Sequence, residues 1–190
     1  MLTKLYDKVL TWSKHKYAEF YLGLMSFAES SFFPIPPDVM LAPMSLARPE
    51  RAWYFAGLTT ATSTLGGILG YAIGYFAYSA IEPSLIAWGY ESTLVAIKQE
   101  FASKGWIFVF AAGFTPFPYK IITISAGAFH MAFLPFLLAS IIGRGGRFFL
   151  VAGAMKYGGK RMENLIRRYI NILSLLLVAA LVAVYFIYKH

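Results

Sequence analysis

Long apolar stretches without a single charge dominate the pattern of this sequence. Three of them cover residues 52–81, 121–143 and 170–188. A helix needs about 20 such residues to cross a hydrocarbon core of about 30 Å. A soluble domain of this size could not bury three helices that are apolar on every side. The pattern therefore predicts an all-α integral membrane protein.

Composition supports this prediction and narrows the partners. Hydrophobic residues make up 58% of the chain and charged residues 14%, whereas a soluble domain is nearer one half and one quarter. Cysteine is absent, which excludes disulfides and thiolate metal sites, and we expect no metal or cofactor. The net charge of +8 lies beside apolar segments, so we expect membrane lipids with anionic headgroups as partners rather than nucleic acid. The sequence is also compatible with a homo-oligomer.

Two amphipathic segments flank the apolar ones. Residues 1–16 place leucines, a valine and a tryptophan at helical spacing, with lysines elsewhere around the helix. This pattern is typical of a helix that lies in the membrane interface. Residues 82–104 mix apolar and charged side chains in a similar way, and we expect a second interfacial helix there. No signal peptide is apparent at the N-terminus.

The distribution of basic residues predicts the orientation. Cytoplasmic loops carry an excess of lysine and arginine. Residues 82–104 instead hold a mixture of acidic and basic side chains, so we expect them outside and the N-terminus in the cytoplasm, with the protein in the bacterial inner membrane. The basic residues form three patches: Lys4, Lys8, Lys14 and Lys16; Arg48 and Arg51; and Lys156, Lys160, Arg161, Arg167 and Arg168.

Prolines interrupt two of the apolar segments. Residues 17–47 begin and end on the predicted cytoplasmic side, so they must enter the membrane, turn and leave. Residues 106–131 do the same from the opposite side. Proline stops a helix because it lacks a backbone donor and restricts the residue before it. The breaks are expected at Pro34, Pro36, Pro37, Pro116 and Pro118.

The two halves also resemble one another. Phe-Phe-Pro-Ile-Pro at 32–36 recurs as Phe-Thr-Pro-Phe-Pro at 114–118, and glycine pairs follow in each half. Halves of opposite orientation form an inverted repeat, and paired broken segments mark the binding site of many transporters. Gly66, Gly70 and Gly74 are expected to allow close helix packing.

A single membrane domain, residues 1–190, follows from these patterns. We expect re-entrant helical hairpins in both repeats. The expected parts are an interfacial helix at 1–16, a first repeat at 17–81, an interfacial connector at 82–104, a second repeat at 105–155, and full crossings at about 52–80, 132–155 and 170–188.

Five ionisable residues fall inside the predicted bilayer core. They are Glu29, Asp38, Lys120, Arg144 and Arg147. Inserting one such charged side chain at the centre of a membrane helix costs about 2.5–3.5 kcal/mol, so ionisable residues without a function should be rare there. Their sum is one positive charge, which an anionic ligand would complete, and arginine forks suit a phosphate headgroup. A carboxylate in low dielectric takes up a proton more readily than one in water, so Glu29 and Asp38 are the candidate transport and proton sites.

Several of these residues also have purely structural interpretations. Asp38 could cap the helix that follows the first break, and Lys120 or Arg147 could reach the interface. The hydroxyls of 59–64 are expected to bond back to their own helix, although one or two could face a cavity.

The motifs around the breaks resemble those of the DedA family, also called the VTT or SNARE-associated domain family, and most closely its YqaA-like branch. They are Glu29-Ser-Ser-Phe-Phe-Pro-Ile-Pro-Pro-Asp38, the GGxxGYxxG stretch at 66–74, and GFTPFPYK at 113–120 with a later GRxxR at 143–147. The resemblance implies lipid transport, in some members linked to the proton gradient, with acidic sites at Glu29 and Asp38.

This sequence departs from the family pattern at the second break. Many relatives carry arginines in a pattern like R-F-x-P-x-x-R, where this chain has Gly113 and Tyr119, with Lys120 one position later. We hypothesise that Arg144 and Arg147 supply the missing positive charge.

The leading prediction is a transporter, flippase or scramblase-like protein for an anionic lipid or lipid carrier. Coupling of this transport to protons is an option. Lys120, Arg144 and Arg147 are the expected headgroup ligands. One alternative is a non-transporting membrane assembly or homeostasis factor. Another is an intramembrane lipid hydrolase, but the chain has neither HExxH nor GxSxG, so we expect no enzyme and no catalytic residues.

Overall fold

The computed structural model describes residues 17–31, 36–89, 91–115, 118–159 and Arg161. All regular elements in these ranges are helical, in agreement with the predicted all-α class. They are α1 (Ala18–Ser31), α2 (Asp38–Ala47), a 3₁₀ turn (Pro49–Arg51), α3 (Ala52–Ala87), α4 (Glu91–Phe114), α5 (Tyr119–Ala128) and α6 (Phe133–Gly159).

Both predicted breaks separate two helices. Helix α1 ends at Ser31, and α2 begins at Asp38, directly after Pro37. In the second half α4 ends at Phe114, and α5 begins directly after Pro118. Proline suits this position because its missing backbone donor would have no partner within the first turn of a helix. Pro34 and Pro116 lie outside the described residues.

The first broken segment returns to the end of the molecule where it begins. Glu19, in the first turn of α1, accepts a hydrogen bond of 2.5 Å from Arg51, which follows α2. Arg48 lies 3.7 Å from the same carboxylate. Helices α1 and α2 have 14 and 10 residues, so they are only about 21 Å and 15 Å long. Neither is long enough to cross a bilayer alone.

Two helices correspond to predicted crossings. Helix α6, with 27 residues, is long and apolar enough to cross a membrane. Helix α3 has 36 residues, and its parts before and after residue 79 are bent by 49° relative to each other. Taken together as one span, these two parts are also long and apolar enough to cross a membrane. Pro83 explains the bend, because it removes the hydrogen bond to the carbonyl of residue 79. The predicted crossing at 170–188 and the interfacial helix at 1–16 lie outside the described residues.

The prediction of one separate helix at 82–104 was wrong. Helix α3 continues to Ala87, and α4 begins at Glu91 and runs on to Phe114 without a boundary near 104. The chain turns at Gly89, whose φ of 87° is readily adopted by glycine. The apolar positions on both sides of Gly89 extend the neighbouring helices instead of forming an independent one.

The glycine face of α3 confirms the predicted close packing. A Cβ atom at Gly66 would collide with the Phe27 carbonyl oxygen of α1, and one at Gly74 would collide with the Ile124 carbonyl oxygen of α5. At Gly70 it would lie 2.5 Å from Thr123 Oγ1. Helix α3 is therefore held directly between the two broken segments.

The buried side chains form two clusters, and each cluster combines a broken segment with both long helices. The first joins α1, α2 and the beginning of α3 to the C-terminal half of α6. The second joins α4 and α5 to the first third of α6, with Ile68 and Tyr71 of α3 packed against it. Helices α3 and α6 therefore form a common centre on which both breaks converge.

Candidate functional site

Arg144 lies at the centre of the molecule, where α1, α3 and α6 meet. Its exposed fraction is 1%. Its Nη2 donates to the Glu29 carboxylate and to Ser30 Oγ, the latter at 2.9 Å. Its Nε donates to Ser63 Oγ at 2.5 Å. A charge this deeply buried is tolerated only when it is paired and hydrogen-bonded.

Two serine hydroxyls complete a ring of hydrogen bonds around this ion pair. Ser30 Oγ on α1 and Ser63 Oγ on α3 are 2.7 Å apart. Ser30 also donates to Glu29 Oε2 at 3.1 Å. Arginine, carboxylate and both hydroxyls thus form one connected polar group inside an apolar interior.

The second break reaches the same arginine. Tyr119 is the first residue of α5, and its ring centre lies 4.7 Å from the Arg144 guanidinium carbon. The Phe148 ring lies 4.9 Å from that carbon. A cation over an aromatic face in a desolvated site is attracted by about 2 kcal/mol. A Cβ atom at Gly113 would lie 3.2 Å from the Arg144 backbone nitrogen. Both positions at which the family pattern has arginine therefore contact Arg144 in this chain.

Arg147 connects the two breaks directly. Its Nη2 donates to Asp38 Oδ2 at 2.5 Å, and its Nη1 donates to the Thr115 carbonyl oxygen at 2.9 Å. Asp38 is the first residue of α2, and Thr115 follows the last residue of α4. The Arg147 and Asp38 side chains are 20% and 17% exposed, so this pair lies nearer the surface than Arg144.

Asp38 does not act as the helix cap considered from the sequence. Pro37 occupies the N-cap position of α2, and no side chain caps that end. Because Asp38 already lies within the helix, its carboxylate is directed to Arg147 rather than to the backbone N–H groups of the first turn.

Four of the five ionisable residues predicted as a site come together in two ion pairs. The pairs are Arg144 with Glu29 and Arg147 with Asp38. Lys120 follows Tyr119 on α5, is half-buried, and its carbonyl oxygen accepts a hydrogen bond from Thr123. Each of these two arginines is therefore paired with a carboxylate.

Sequence reasoning missed the residues that hold the arginines. Thr59, Thr60 and Thr62 bond back to their own helix, as expected. Ser63 differs, because its hydroxyl faces Arg144. A signal existed in the spacing: Ser26 and Ser30 on α1, and Thr59 and Ser63 on α3, each repeat after four residues and so share a helix face.

No metal site accompanies these residues in the described ranges. Within them, no group of three or more His, Asp or Glu side chains is arranged to hold a metal ion. His130 instead lies in a turn with a φ of 55°, and its ring centre is 4.7 Å from that of Tyr75.

These features define a helical protein whose polar centre lies among broken helices. The family model described as the VTT domain matches residues 15–157. The chain therefore belongs to the VTT domain family, also known as the DedA or SNARE-associated family. Its members are membrane proteins and are commonly transporter-like.

The relatives in sequence cover nearly the whole chain. A Haemophilus influenzae protein described as uncharacterized is 44% identical over 186 residues, which cover 98% of this chain and 97% of the relative. A Histophilus somni protein, likewise described as uncharacterized, is 43% identical over 185 residues, with 97% of each chain covered. No solved structure gives a significant match.

Proposed function

We propose that this protein transports an anionic lipid or a lipid-linked carrier, and that the headgroup binds where the two breaks meet. The buried pair of Arg144 and Glu29 is the observation that carries the proposal. Ionisable residues at membrane depth are costly and usually mark a substrate or proton pathway. The pair lies at the junction of three helices, and the Tyr119 ring and the backbone at Gly113, on either side of the second break, lie against Arg144.

The proposed step is an exchange of partners at Arg144. Protonation of Glu29 removes the negative charge that holds Nη2. The guanidinium then attracts a phosphate headgroup, to which it can donate two parallel hydrogen bonds. Among the described residues Nη1 has no hydrogen-bond acceptor, so it is the nitrogen left for an incoming oxygen. Asp38 and Arg147 repeat this arrangement nearer the surface.

The ends of the short helices strengthen the attraction for an anion. Helices α2 and α5 begin directly after Pro37 and Pro118, at the two breaks. The N-terminus of a helix carries a partial positive charge and free N–H groups. Lys120, in the first turn of α5, adds a full charge.

Arg144 takes the place of the family's arginines in this proposal. Relatives carry the cations on the broken segment, at the positions of Gly113 and Tyr119. Here glycine lets α6 approach, and the tyrosine ring lies over the arginine that α6 supplies. The positive charge thus comes from another helix but lies beside the same two positions.

The charge distribution supports an orientation with the N-terminus in the cytoplasm of a bacterial inner membrane. Lys156 Nζ of α6 lies 5.3 Å from the centre of the Trp53 ring, so Lys156 lies near the start of α3, which directly follows Arg48 and Arg51 in the chain. The mixed pair of Glu82 and Lys98 lies about 45 Å along α3 from Trp53. In this orientation the two broken segments are re-entrant hairpins of an inverted repeat.

Lipid exchange in liposomes tests the proposal. Purified protein is reconstituted with headgroup-labelled anionic lipid, and label movement is compared for wild type, Glu29→Gln and Arg144→Gln. Both variants should lose transport, because neither can exchange partners. Glu100→Gln is the matched control, since its ion pair with Lys104 is exposed. Full transport by properly inserted Glu29→Gln and Arg144→Gln would contradict the proposal.

A structural role in membrane assembly is the competing function. It is favoured by the fact that each arginine already has a carboxylate partner. Exchanging the charges, with Glu29→Arg and Arg144→Glu in one chain, separates the two functions. A folding role needs only a balanced pair, so protein level and activity should both recover. Transport needs the arginine on α6 beside the second break, so we expect recovery of protein level without lipid transport.

A further inference from the structure

We infer that Ser30 and Ser63 form a clasp that holds the Arg144 guanidinium in place while Glu29 exchanges its partner. The inference rests on the proposed function, because a clasp matters only if Glu29 releases Arg144. Neither serine is a headgroup ligand in this scheme. They are positioning residues that act through the arginine.

The geometry assigns two different nitrogens to the two hydroxyls. Ser63 accepts from Nε, and Ser30 accepts from Nη2. The hydroxyls come from different helices, α3 and α1, and are 2.7 Å from each other. When Glu29 becomes neutral, these two contacts still fix the plane of the guanidinium. Without them, the buried cation would keep only the neutral Glu29 carboxyl as an acceptor among the described residues.

Serine is suited to this task because a hydroxyl both donates and accepts and can rotate between partners. While Glu29 is ionised, Ser30 donates to its Oε2 atom at 3.1 Å. When Glu29 carries a proton, the Ser30 hydroxyl can turn and accept it. Either serine can be the donor in the contact between them. The ring of hydrogen bonds therefore remains complete in both protonation states of the carboxylate.

The seam between α1 and α3 contains its own control. One turn from the clasp, Ser26 donates to the Thr59 carbonyl oxygen at 2.8 Å. Ser26 and Ser30 are both fully buried, at 0% exposure, and both link α1 to a residue 33 positions later. Ser26 makes no contact with Arg144 among those described. Replacing Ser26 therefore removes a comparable helix-to-helix hydrogen bond without touching the arginine.

The first experiment measures melting temperature in detergent and requires no transport. It compares Glu29→Gln, the double variant Ser30→Ala/Ser63→Ala, and their combination. We expect the combination to lower the melting temperature by more than the two separate shifts together, because only then does Arg144 lose both its negative partner and its two hydroxyl acceptors. Ser26→Ala combined with Glu29→Gln should be additive, since Ser26 bonds to the Thr59 carbonyl oxygen and shares no hydrogen-bond partner with Glu29. Additivity in the clasp combination would overturn the inference.

If that combination does not accumulate, a milder pair gives the answer. Glu29→Gln with Ser63→Ala is then compared with Glu29→Gln with Ser26→Ala. Equal melting temperatures would contradict the clasp, and a lower value for the Ser63 pair is expected.

The second experiment measures lipid exchange against pH. We expect Ser30→Ala/Ser63→Ala to reduce the rate by at least about 10- to 100-fold, because each serine accepts one hydrogen bond from the charged arginine and the loss of one such bond has an effect of that size. The pH dependence should change as well, because the serines matter most when Glu29 is protonated. Ser26→Ala should keep the wild-type profile. An unchanged profile in the clasp variant would reject the inference, whereas absence of transport in wild type would reject the proposed function and leave the melting result standing.

Discussion

Arg144 and Arg147 offer a comparison within one helix. They lie three residues apart on α6, and each pairs with a carboxylate beside the first break. The Arg144 side chain is 2% exposed and the Arg147 side chain 20%. Arg144 is held by side chains from two other helices, whereas Arg147 also donates to a backbone carbonyl at the second break. The chemistry is the same, and the surroundings differ.

The difference in exposure between the two arginines distinguishes the roles of their ion pairs. Removing one partner from a buried pair leaves the other charge without compensation, which is strongly destabilising. Near the surface, water replaces a lost partner, and the penalty falls. The Arg144 pair therefore stabilises the interior, and the Arg147 pair links the two breaks nearer the surface.

Replacing each arginine by glutamine should give the largest effect and the clearest contrast. Arg144→Gln removes the cation shared by Glu29 and two fully buried serine hydroxyls, so we expect a loss of about 3–5 kcal/mol and a strong fall in protein level. Arg147→Gln should cost about 1 kcal/mol, because it removes one ion pair between two partly exposed side chains and one hydrogen bond to a backbone carbonyl. Melting temperature and membrane protein level provide the measurement. Equal losses at both positions would show that burial does not distinguish the pairs.

Changes at Tyr119 should give a smaller effect that isolates the ring over Arg144. Tyr119→Leu removes the aromatic face and should cost about 2 kcal/mol, whereas Tyr119→Phe keeps the face and should cost less. The same changes combined with Arg147→Gln should simply add, because the ring contacts Arg144. Thermal unfolding in detergent measures both. A penalty for Tyr119→Phe as large as that for Tyr119→Leu would assign the effect to the hydroxyl.

The pair of Glu82 and Lys98, whose side chains are 30% and 34% exposed, should give the smallest effect of the comparison. A hydrogen bond from Lys98 lowers the pKa of Glu82 below its ordinary value. A lowered carboxylate pKa stabilises the folded state above the ordinary pKa, and this contribution is lost as pH falls. Lys98→Gln should therefore lower the melting temperature slightly at pH 7 and leave it unchanged well below about pH 4, where Glu82 is protonated in the folded state as well. A constant difference at both pH values would indicate a packing effect of Lys98.

Local features were predictable from the sequence because they depend on neighbouring residues. The prolines at 36, 37 and 118 mark the ends of the breaks, and the glycines at 66, 70 and 74 mark the packing face of α3. The error at 82–104 was also local. Gly89 was overlooked as a helix end, and apolar residues on both sides were assigned to one helix.

The sequence by itself determined the helical membrane class, the two broken segments and four residues that belong to the polar centre. Only the tertiary structure decided how they pair, because Arg144 lies 115 residues from Glu29 and Arg147 lies 109 from Asp38 along the chain. No local pattern encodes such distances; they follow from packing in which glycines bring α3 against α1 and α5, and α6 against α4. The serines and Tyr119 were hidden for the same reason. Hydroxyls and rings are common in membrane helices, and they become part of a site only when a distant charge is packed against them.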